Sequence, residues 1–246
     1  MAIDLNLPKK SGLFITGTDG SVGKTLIAGA IAKVLTGQGL KVGVFKPIAT
    51  GCSQQWDGLI NHETDFLANC ANSNLPLTTI TPVGFVTKAV PLVGTAREKK
   101  PIDFGAIGNA YRQICEESDI VIVEGLGGVR EPLTAEFDLL DLAVEFGLPV
   151  VIVAKPNEGT INHTLMTIDC VRAAKLKIAG VVFNGYHVDT ETVTTNTAPA
   201  VISQMGAVEI LAEVPFDETV DIKQNDLGEI IIESLANCDW QGLAQM

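Results

Sequence analysis

The chain has 246 residues and a formal net charge of −12 at pH 7. An acidic chain without a compensating basic stripe repels phosphate backbones, which excludes nucleic acid as an expected partner. Hydrophobic residues make up 46% of the sequence and charged residues 19%, which is the balance of a folded globular protein. The length fits one α/β domain. We therefore predict a single domain over residues 1–246, in which residues 1–11 form a loosely held leader.

Cysteine and histidine usage indicates a reducing compartment without transition-metal chemistry. The five cysteines are odd in number, widely spaced and free of any C-x-x-C pair, so we expect free thiols. His62, His163 and His187 are far apart, and none pairs locally with a cysteine. Residues 1–12 lack a signal-peptide core, and no apolar run has the length of a membrane span. A cytoplasmic protein without a membrane partner is expected.

The clearest motif is Gly-Thr-Asp-Gly-Ser-Val-Gly-Lys-Thr at residues 17–25. It follows the apolar run 13–15 and precedes the helix-like stretch 26–32, so a strand, a glycine-rich turn and a helix start come in the order that a phosphate-binding loop requires. Thr18 stands where the first glycine of this signature is usual, and the loop carries one extra residue between its glycines. The segment predicts a phosphate loop of slightly altered spacing.

The end of this loop supplies the residue types that bind nucleotide and metal. Lys24 is expected to reach the β- and γ-phosphates, and the Thr25 hydroxyl is expected to ligate Mg²⁺. Backbone N–H groups of the loop and of the helix start would hold the remaining phosphate charge. The predicted nucleotide-binding residues here are Gly20, Ser21, Val22, Gly23, Lys24, Thr25 and Leu26.

A second cation follows the next strand. After a helix that ends before Gly39, residues 41–45 form a strand, which makes the chain βαβ. Lys46 then lies at the carboxyl edge of the sheet, where ligands bind in open α/β folds. It is placed to face transferred phosphate charge, although an exposed lysine after a strand is also common. The polar residues 52–74 are expected to cross the ligand face, with a short helix from about Glu63.

The next strand with a clear sequence signal ends in an acidic residue. Residues 75–103 carry few helix signals and are interpreted as an ordered excursion before a helix over 104–117. Four β-branched residues in a row then predict a buried strand at 119–123, which ends at Glu124 and a glycine-rich loop. In phosphate-loop proteins a carboxylate at such a strand end holds Mg²⁺ directly or through water, and Glu124 fits that position.

The second half of the chain repeats the strand and helix alternation. Residues 149–154 form a strand, and Thr160 is a candidate N-cap of the following helix, whose free N-terminus suits a carboxylate or phosphate. His163 in that helix is expected to be a packed structural residue. A strand at 178–183 ends at Asn184-Gly185, where the amide suits a purine edge and the pair also suits a simple turn.

The remaining elements complete the predicted fold. We expect a helix near 197–205, a strand near 208–212 and a last helix near 227–236. Alternation of strands and helices around a phosphate loop predicts a P-loop NTPase-like α/β fold of three layers, with a mostly parallel central sheet flanked by helices. The residues alone thus indicate Mg²⁺- and nucleotide-dependent phosphoryl transfer and leave the second substrate open.

Taken together and in order, several motifs resemble those of the dethiobiotin synthetase family over nearly the whole chain. The motifs are Gly17-Thr18-Asp19 leading to Val22-Gly23-Lys24-Thr25, Lys46-Pro47-Ile48-Ala49-Thr50-Gly51, Val123-Glu124-Gly125-Leu126-Gly127-Gly128, Gly159-Thr160-Ile161-Asn162-His163 and Asn184. This resemblance implies ATP- and Mg²⁺-dependent carboxylation of 7,8-diaminopelargonic acid with CO₂, giving dethiobiotin, ADP and phosphate in biotin biosynthesis. It also implies a carbamate and then a carbamic-phosphoric anhydride as intermediates.

The resemblance also assigns roles to individual residues. Lys24, Lys46 and Thr50 are implied to be catalytic, while Thr25, Asp65 and Glu124 are implied to hold Mg²⁺. The implied nucleotide contacts beyond the phosphate loop are Glu124, Gly125, Leu126, Gly127, Asn184, Gly185, Pro215, Phe216 and Asp217. The implied substrate contacts are Thr50, Gly159, Thr160, Ile161 and Asn162. A homodimer with the substrate site at the subunit interface follows from the same resemblance.

Two departures from the family pattern and two rival functions remain. Gly20-Ser21 stands where well-known members carry Thr-Glu, and Val90-Pro91-Leu92 replaces a Ser-Pro-His stretch.

A switch ATPase of the partitioning kind shares this fold, but Asp19 stands where its signature lysine is usual and no C-terminal basic amphipathic helix is present. An ATP-dependent ligase or amidotransferase of related fold is the other alternative, although no glutaminase module is recognisable.

Overall fold

The computed structural model describes residues 3–55, 58–186 and 192–245. His187, one of the histidines considered above, lies outside these residues. The strands within the described ranges are β1 Gly12–Gly17, β2 Val42–Phe45, β3 Ile48–Thr50, β4 Ser53–Gln55, β5 Gly58–Ile60, β6 Val83–Phe85, β7 Ile120–Gly128, β8 Val150–Ala154, β9 Ile178–Tyr186 and β10 Ile210–Pro215.

The helices lie mainly on the two faces of the sheet. They are α1 Lys24–Gly37, α2 His62–Cys70, α3 Leu77–Ile80, α4 Pro91–Glu98, α5 Phe104–Glu117, α6 Leu139–Phe146, α7 Thr160–Ala173, α8 Val193–Gly206, α9 Glu229–Ala236 and α10 Trp240–Leu243. A 3₁₀ helix, Ile222–Gln224, follows β10.

A parallel six-stranded sheet in the order β10-β9-β8-β1-β7-β2 forms the centre of the fold. Because successive side chains point to opposite faces of a strand, β1 sends Leu13 and Ile15 to one apolar core and Phe14 to the other. Both cores are covered by helices, so the central strands are apolar on both faces. The predicted fold class is confirmed.

Strand order determines which residues meet at the carboxyl edge. β1 runs directly into the phosphate loop, β7 lies beside it, and β2 pairs with β7 on the other side. Lys46 follows β2, and Glu124 lies on β7 opposite Ile15. Parallel strands end at the same edge, so three segments far apart in sequence deliver the loop, a lysine and a carboxylate to one place.

Several elements differ from their predicted bounds. β7 continues past Glu124 to Gly128, because β1 and β7 pair again at Gly17 and Gly128. The excursion 75–103 contains two helices and β6, short elements that carry little periodicity. β10 spans Ile210–Pro215 and thus begins and ends later than predicted.

Two helices were underestimated from the sequence. α6 was not predicted, although Asp138 and Asp141 form a capping box and Gly147 ends the helix with φ +61°. α8 begins at Val193, earlier than expected, behind a capping box built on Thr192. Pro199 lies inside α8 and concealed its first turns in the sequence pattern.

The leader is held more tightly than predicted over its described part. Ile3 and Leu5 are each 6% exposed and join one of the two cores. The Leu5 N–H donates to Glu145 Oε2 at 2.9 Å, and Arg112 donates to the Leu5 carbonyl at 3.1 Å. These contacts order residues 3–11 against the body of the fold, since apolar side chains gain by burial.

Candidate active site

The phosphate loop connects β1 to the N-terminus of α1. Gly23 takes φ +93°, and a Cβ there would lie 2.0 Å from Asn184 Nδ2, so only glycine fits. That same Nδ2 donates to the Val22 carbonyl at 2.9 Å, which joins the end of β9 to the loop. Asn184, predicted from its place at a strand end, therefore touches the phosphate loop itself.

The first turn of α1 has the features of an anion site. Lys24 and Thr25 are its first residues and are 7% and 6% exposed. Within the described ranges no side chain caps this helix, so its first N–H groups remain available to phosphate oxygens. Lys24 Nζ donates to the Asp19 carbonyl at 2.9 Å and so spans the loop. Burial lowers the pKa of Lys24 against the opposing attraction of Glu124.

Lys46 is the most deeply buried charge of the site. It is 1% exposed, and its Nζ lies 2.9 Å from Glu124 Oε1 and 2.6 Å from Glu63 Oε2. Burial opposes the charged form, but the two carboxylates outweigh burial and raise the pKa of Lys46. Burial likewise opposes ionisation of Glu63, and the neighbouring ammonium of Lys46 outweighs it and lowers the pKa of Glu63. The lysine therefore stays cationic without exposure to solvent.

Glu124 and Thr25 provide hard oxygen donors of the kind that Mg²⁺ prefers. Glu124 is 2% exposed, and its Oε1 accepts from Thr25 Oγ1 at 2.6 Å. Its other oxygen, Oε2, is buried and has no hydrogen-bond partner among the described residues. An orphaned buried carboxylate oxygen beside a phosphate loop fits a metal ligand. The described residues hold no group of three or more His, Cys, Asp or Glu side chains that could bind a metal ion by themselves.

The structure places Glu63, and not Asp65, in this cavity. Asn61 caps α2 and so fixes its phase, with Glu63 turned toward Lys46. Asp65 Oδ2 instead accepts from Asn225 Nδ2 at 3.0 Å. Residues two apart on a helix face different directions, so both carboxylates cannot serve one site equally. Sequence reasoning missed Glu63, because a capped start of α2 does not show which of its carboxylates meets Lys46.

One cavity of about 340 Å³ joins most of these groups. It is lined by Gly20, Ser21, Gly23, Lys24, Thr25, Lys46, Glu63, Glu124, Gly125, Leu126, Gly127 and Ile222. Most of the residues predicted on the phosphate loop and after Glu124 are thus together. Val22 is buried, and Leu26 is partly buried against the core.

Other predicted site residues lie outside this cavity. Thr50 ends β3 and pairs with Phe85 of β6, in a small sheet separate from the central one. Gly159, not Thr160, is the N-cap of α7, with φ +83°. Thr160 is buried, and its hydroxyl has no hydrogen-bond partner among the described residues. Ile161 packs against the core and Asn162 is exposed.

His163 is also exposed, contrary to the expected packing of this residue. Its place in the first turns of α7 turns the ring outward toward a second cavity, of about 360 Å³, which also touches Thr18 and Asp19. The prediction of a packed histidine was wrong because the buried positions of α7 are filled by threonines and aliphatic residues.

The residues predicted for a base pocket gather at the β9–β10 edge. Val214 of β10 pairs with Asn184, and Pro215 pairs with Tyr186, which brings Asn184-Gly185 beside Pro215. The Phe216 N–H donates to the Tyr186 carbonyl at 2.7 Å, and the side chain of Phe216 is 51% exposed. Asp217 Oδ1 accepts from the Thr219 N–H at 2.9 Å and from its hydroxyl at 2.7 Å. An adenine contact at this edge stays a prediction.

The fold and site define a phosphate-loop α/β ATPase-type protein. Residues 11–224 match a family described as an AAA domain. Similar solved structures include the MinC:MinD cell division protein complex from Aquifex aeolicus (TM-score 0.60, 15% identity, covering 96% of this chain and 94% of that chain). A ParA family ATPase from Chlorobium tepidum TLS is another (TM-score 0.58, 10% identity, 94% and 98%). At these identities the likeness shows the fold alone.

Sequence similarity is more specific. The chain is 33% identical over 232 residues to the ATP-dependent dethiobiotin synthetase BioD of Thermodesulfovibrio yellowstonii, covering 92% of this chain and 96% of that relative. It is 32% identical over 218 residues to the same synthetase of Endomicrobium trichonymphae, covering 87% and 96%. The chain belongs to the dethiobiotin synthetase family. No helix within the described ranges is long and apolar enough to span a membrane.

Proposed function

We propose that this chain is an ATP-dependent dethiobiotin synthetase, a ligase that converts 7,8-diaminopelargonic acid and CO₂ into dethiobiotin with release of ADP and phosphate. The observation that carries the proposal is the buried Lys46 beside Glu124 at the mouth of a phosphate loop, in a chain of this family. Such a reaction needs fixed positive charge more than a strong base, because negative charge develops on a carbamate and on phosphoryl oxygens.

The chemistry runs in three balanced steps. An amine of the substrate adds to CO₂ and loses a proton, which gives a carbamate. A carbamate oxygen attacks the γ-phosphorus of ATP. The bond from this phosphorus to the β–γ bridging oxygen breaks, and ADP leaves with that oxygen. The second amine then attacks the carbamate carbon and loses a proton, the bond from this carbon to the phosphate oxygen breaks, and phosphate leaves as the ureido ring closes.

The chain's own residues stabilise charge in these steps. Lys24 spans the loop at the place where the β- and γ-phosphates would bind, and Lys46 would face the phosphoryl group that is transferred. Thr25 and Glu124 would hold Mg²⁺, with Glu63 in the same cavity. When bound, the metal neutralises phosphate oxygens. A low-dielectric, preformed environment makes these charges effective, since they need not reorganise during the reaction.

A homodimer is part of the proposal. The N-terminus of α7, from Gly159 to Asn162, is supported as a carboxylate site by its uncapped first turn and by the family motif. None of these four residues lines the phosphate-loop cavity, and on the family motif a second copy would supply this helix N-terminus to the substrate of the first. Thr50 is retained as a substrate contact on the family motif alone.

The test is ADP release by the purified protein. Release is expected to require both the diamine and bicarbonate, the source of CO₂. The controls omit either the diamine or the bicarbonate. Equal ATP hydrolysis with and without these substrates would exclude the synthetase and favour a switch ATPase.

A further inference from the structure

The second cavity lies beside the phosphate loop and combines a charged end with an apolar wall. It has a volume of about 360 Å³, which is within the range of small-molecule sites. Asp19 and Glu131 contribute carboxylates at its loop end, and Val129, Met166 and Cys170 contribute apolar surface. The side chain of Met166 is 51% exposed on this wall. A ligand that combines a cationic end with a hydrocarbon chain suits this arrangement.

Glu131 differs from Glu63 and Glu124, because no lysine or arginine of the described residues forms an ion pair with it. Its neighbour Arg130 also lines this cavity but pairs with Asp138, with Nη1 at 3.1 Å from Asp138 Oδ2. Burial, with Asp19 nearby, raises the pKa of Glu131, while Lys24 opposes the rise. A cation that binds beside a partly desolvated carboxylate without a counterion stabilises the charge of that carboxylate strongly.

Gly127 brings this carboxylate close to the site. Gly127 has φ +62°, and a Cβ there would lie 2.2 Å from Glu131 Oε2. The Glu131 N–H donates to the Gly128 carbonyl at 3.0 Å, which fixes the turn that follows β7. Gly127 itself lines the phosphate-loop cavity, so Glu131 lies at the boundary between the two cavities. A group bound there is next to the reacting phosphate.

We propose that Glu131 binds an ammonium group of the amine substrate and makes the site selective for amines carried on a hydrocarbon chain. This inference rests on the proposed function, because the diamine is the substrate that supplies such a group. The Glu131 carboxylate holds one charged nitrogen at the loop end, and the hydrocarbon chain lies along Val129 and Met166. Asp19 and Glu131 are the two acidic residues that line this cavity in the described part of the chain.

The test compares the affinity for the charged diamine with that for dethiobiotin, whose ureido ring carries no ammonium group. Glu131→Gln keeps the shape of the side chain and removes its charge. It is expected to weaken diamine binding, measured by calorimetry with ADP and Mg²⁺ present, and to raise the KM for the diamine about tenfold or more. The affinity for dethiobiotin and the KM for ATP are expected to change less than about twofold.

The matched control is Glu136→Gln, which removes an exposed carboxylate from the same loop and is expected to leave every constant unchanged. Glu131→Asp, which keeps the charge, is expected to retain part of the diamine affinity even if the amide variant folds poorly. Equal weakening of diamine and dethiobiotin by Glu131→Gln, or an unchanged diamine affinity in both variants, would overturn the inference. If wild-type protein has no diamine-dependent turnover, the proposed function fails first, independently of Glu131.

Discussion

The two edges of the central sheet each carry a cavity, and the larger one is not the candidate site. The amino edge has a cavity of about 640 Å³ formed by residues 7–11, 145–149 and 244–245. The carboxyl edge has the cavity of about 340 Å³ at the phosphate loop. The two edges differ in the burial of their charged side chains. At the carboxyl edge, Lys46 and Glu124 are only 1% and 2% exposed. Buried charge, and not volume, distinguishes a reactive site.

Charged groups at the amino edge have structural contacts instead. Glu145 accepts from the Leu5 N–H, and Lys10 donates to the Ser118 carbonyl. Each group thus satisfies the backbone of another segment and ties the leader and the start of β7 to the fold. The charged groups of the amino edge therefore hold chain segments together, while the carboxyl edge buries the Lys46–Glu124 pair beside the phosphate loop.

The largest expected effect on turnover comes from Lys46→Gln. Removing the buried cation leaves charge on the carbamate and phosphoryl oxygens without its stabiliser, so we expect kcat to fall by about 10² to 10³. Nucleotide affinity should change far less, because Lys24 and the loop N–H groups remain. Steady-state kinetics and ADP titration check both values. Lys10→Gln, at the amino edge, is the control and should keep kcat; a normal rate for Lys46→Gln would remove the catalytic role of this lysine.

Glu124→Gln should change the Mg²⁺ requirement. An amide keeps the hydrogen bond from Thr25 but is a weaker metal ligand, so half-maximal activity should need about tenfold more Mg²⁺. A Mg²⁺ titration of ADP release measures this shift. Glu145→Gln removes a carboxylate from the other edge and should leave the titration unchanged. An identical Mg²⁺ dependence in Glu124→Gln would argue against metal binding at Glu124.

The pH dependence of diamine binding should report Glu131. Because burial raises the pKa of Glu131, the carboxyl becomes protonated as the pH falls through this raised value, and the KM for the diamine should then rise. Asp19, Lys24, Arg130 and His163 are the other charged or titratable groups around it. In Glu131→Gln this acidic rise of KM should disappear. An equal rise in both proteins would assign the titration to another group.

The smallest effect on turnover is expected from Leu5→Ala. Leu5 is 6% exposed in the core beneath the amino edge, so its truncation should lower the free energy of unfolding by about 2 to 5 kcal/mol. The kcat of the folded protein should stay within about twofold of wild type. Thermal unfolding and kinetics below the transition check the two statements. A large loss of kcat at full folding would mean that the two edges are coupled.

Local patterns predicted the parts of the site that depend on one strand and the loop after it. The phosphate loop, Lys46 and Glu124 each follow an apolar run, so their place at the carboxyl edge followed from strand ends alone. Glu63 was missed in favour of Asp65, because the choice depends on the phase of α2 and on the contact of Lys46 with a residue 17 positions away. The sequence offered these carboxylates two residues apart and no means of orienting them.

Contacts between segments far apart in the chain could not be predicted from the local sequence pattern either. The contact between Asn184 and the Val22 carbonyl joins residues 162 positions apart, and it depends on β9 reaching the loop from across β8. The unpaired state of Glu131 depends on Arg130 turning to Asp138. The capping box of α6 is visible in the sequence and could have predicted this helix. The burial of Ile3 and Leu5 could not be predicted, because it depends on the part of the folded core that these two residues cover.

We propose that buried charge at the carboxyl edge stabilises the phosphorylation of a carbamate, which prepares it for ring closure. Its most direct test is turnover with ¹⁴C-labelled bicarbonate, the diamine, ATP and Mg²⁺, with product label and ADP measured together. We expect labelled dethiobiotin in amounts equimolar with ADP, and neither product when the diamine is omitted. ADP formed without incorporation of label, at a rate independent of the diamine, would contradict it.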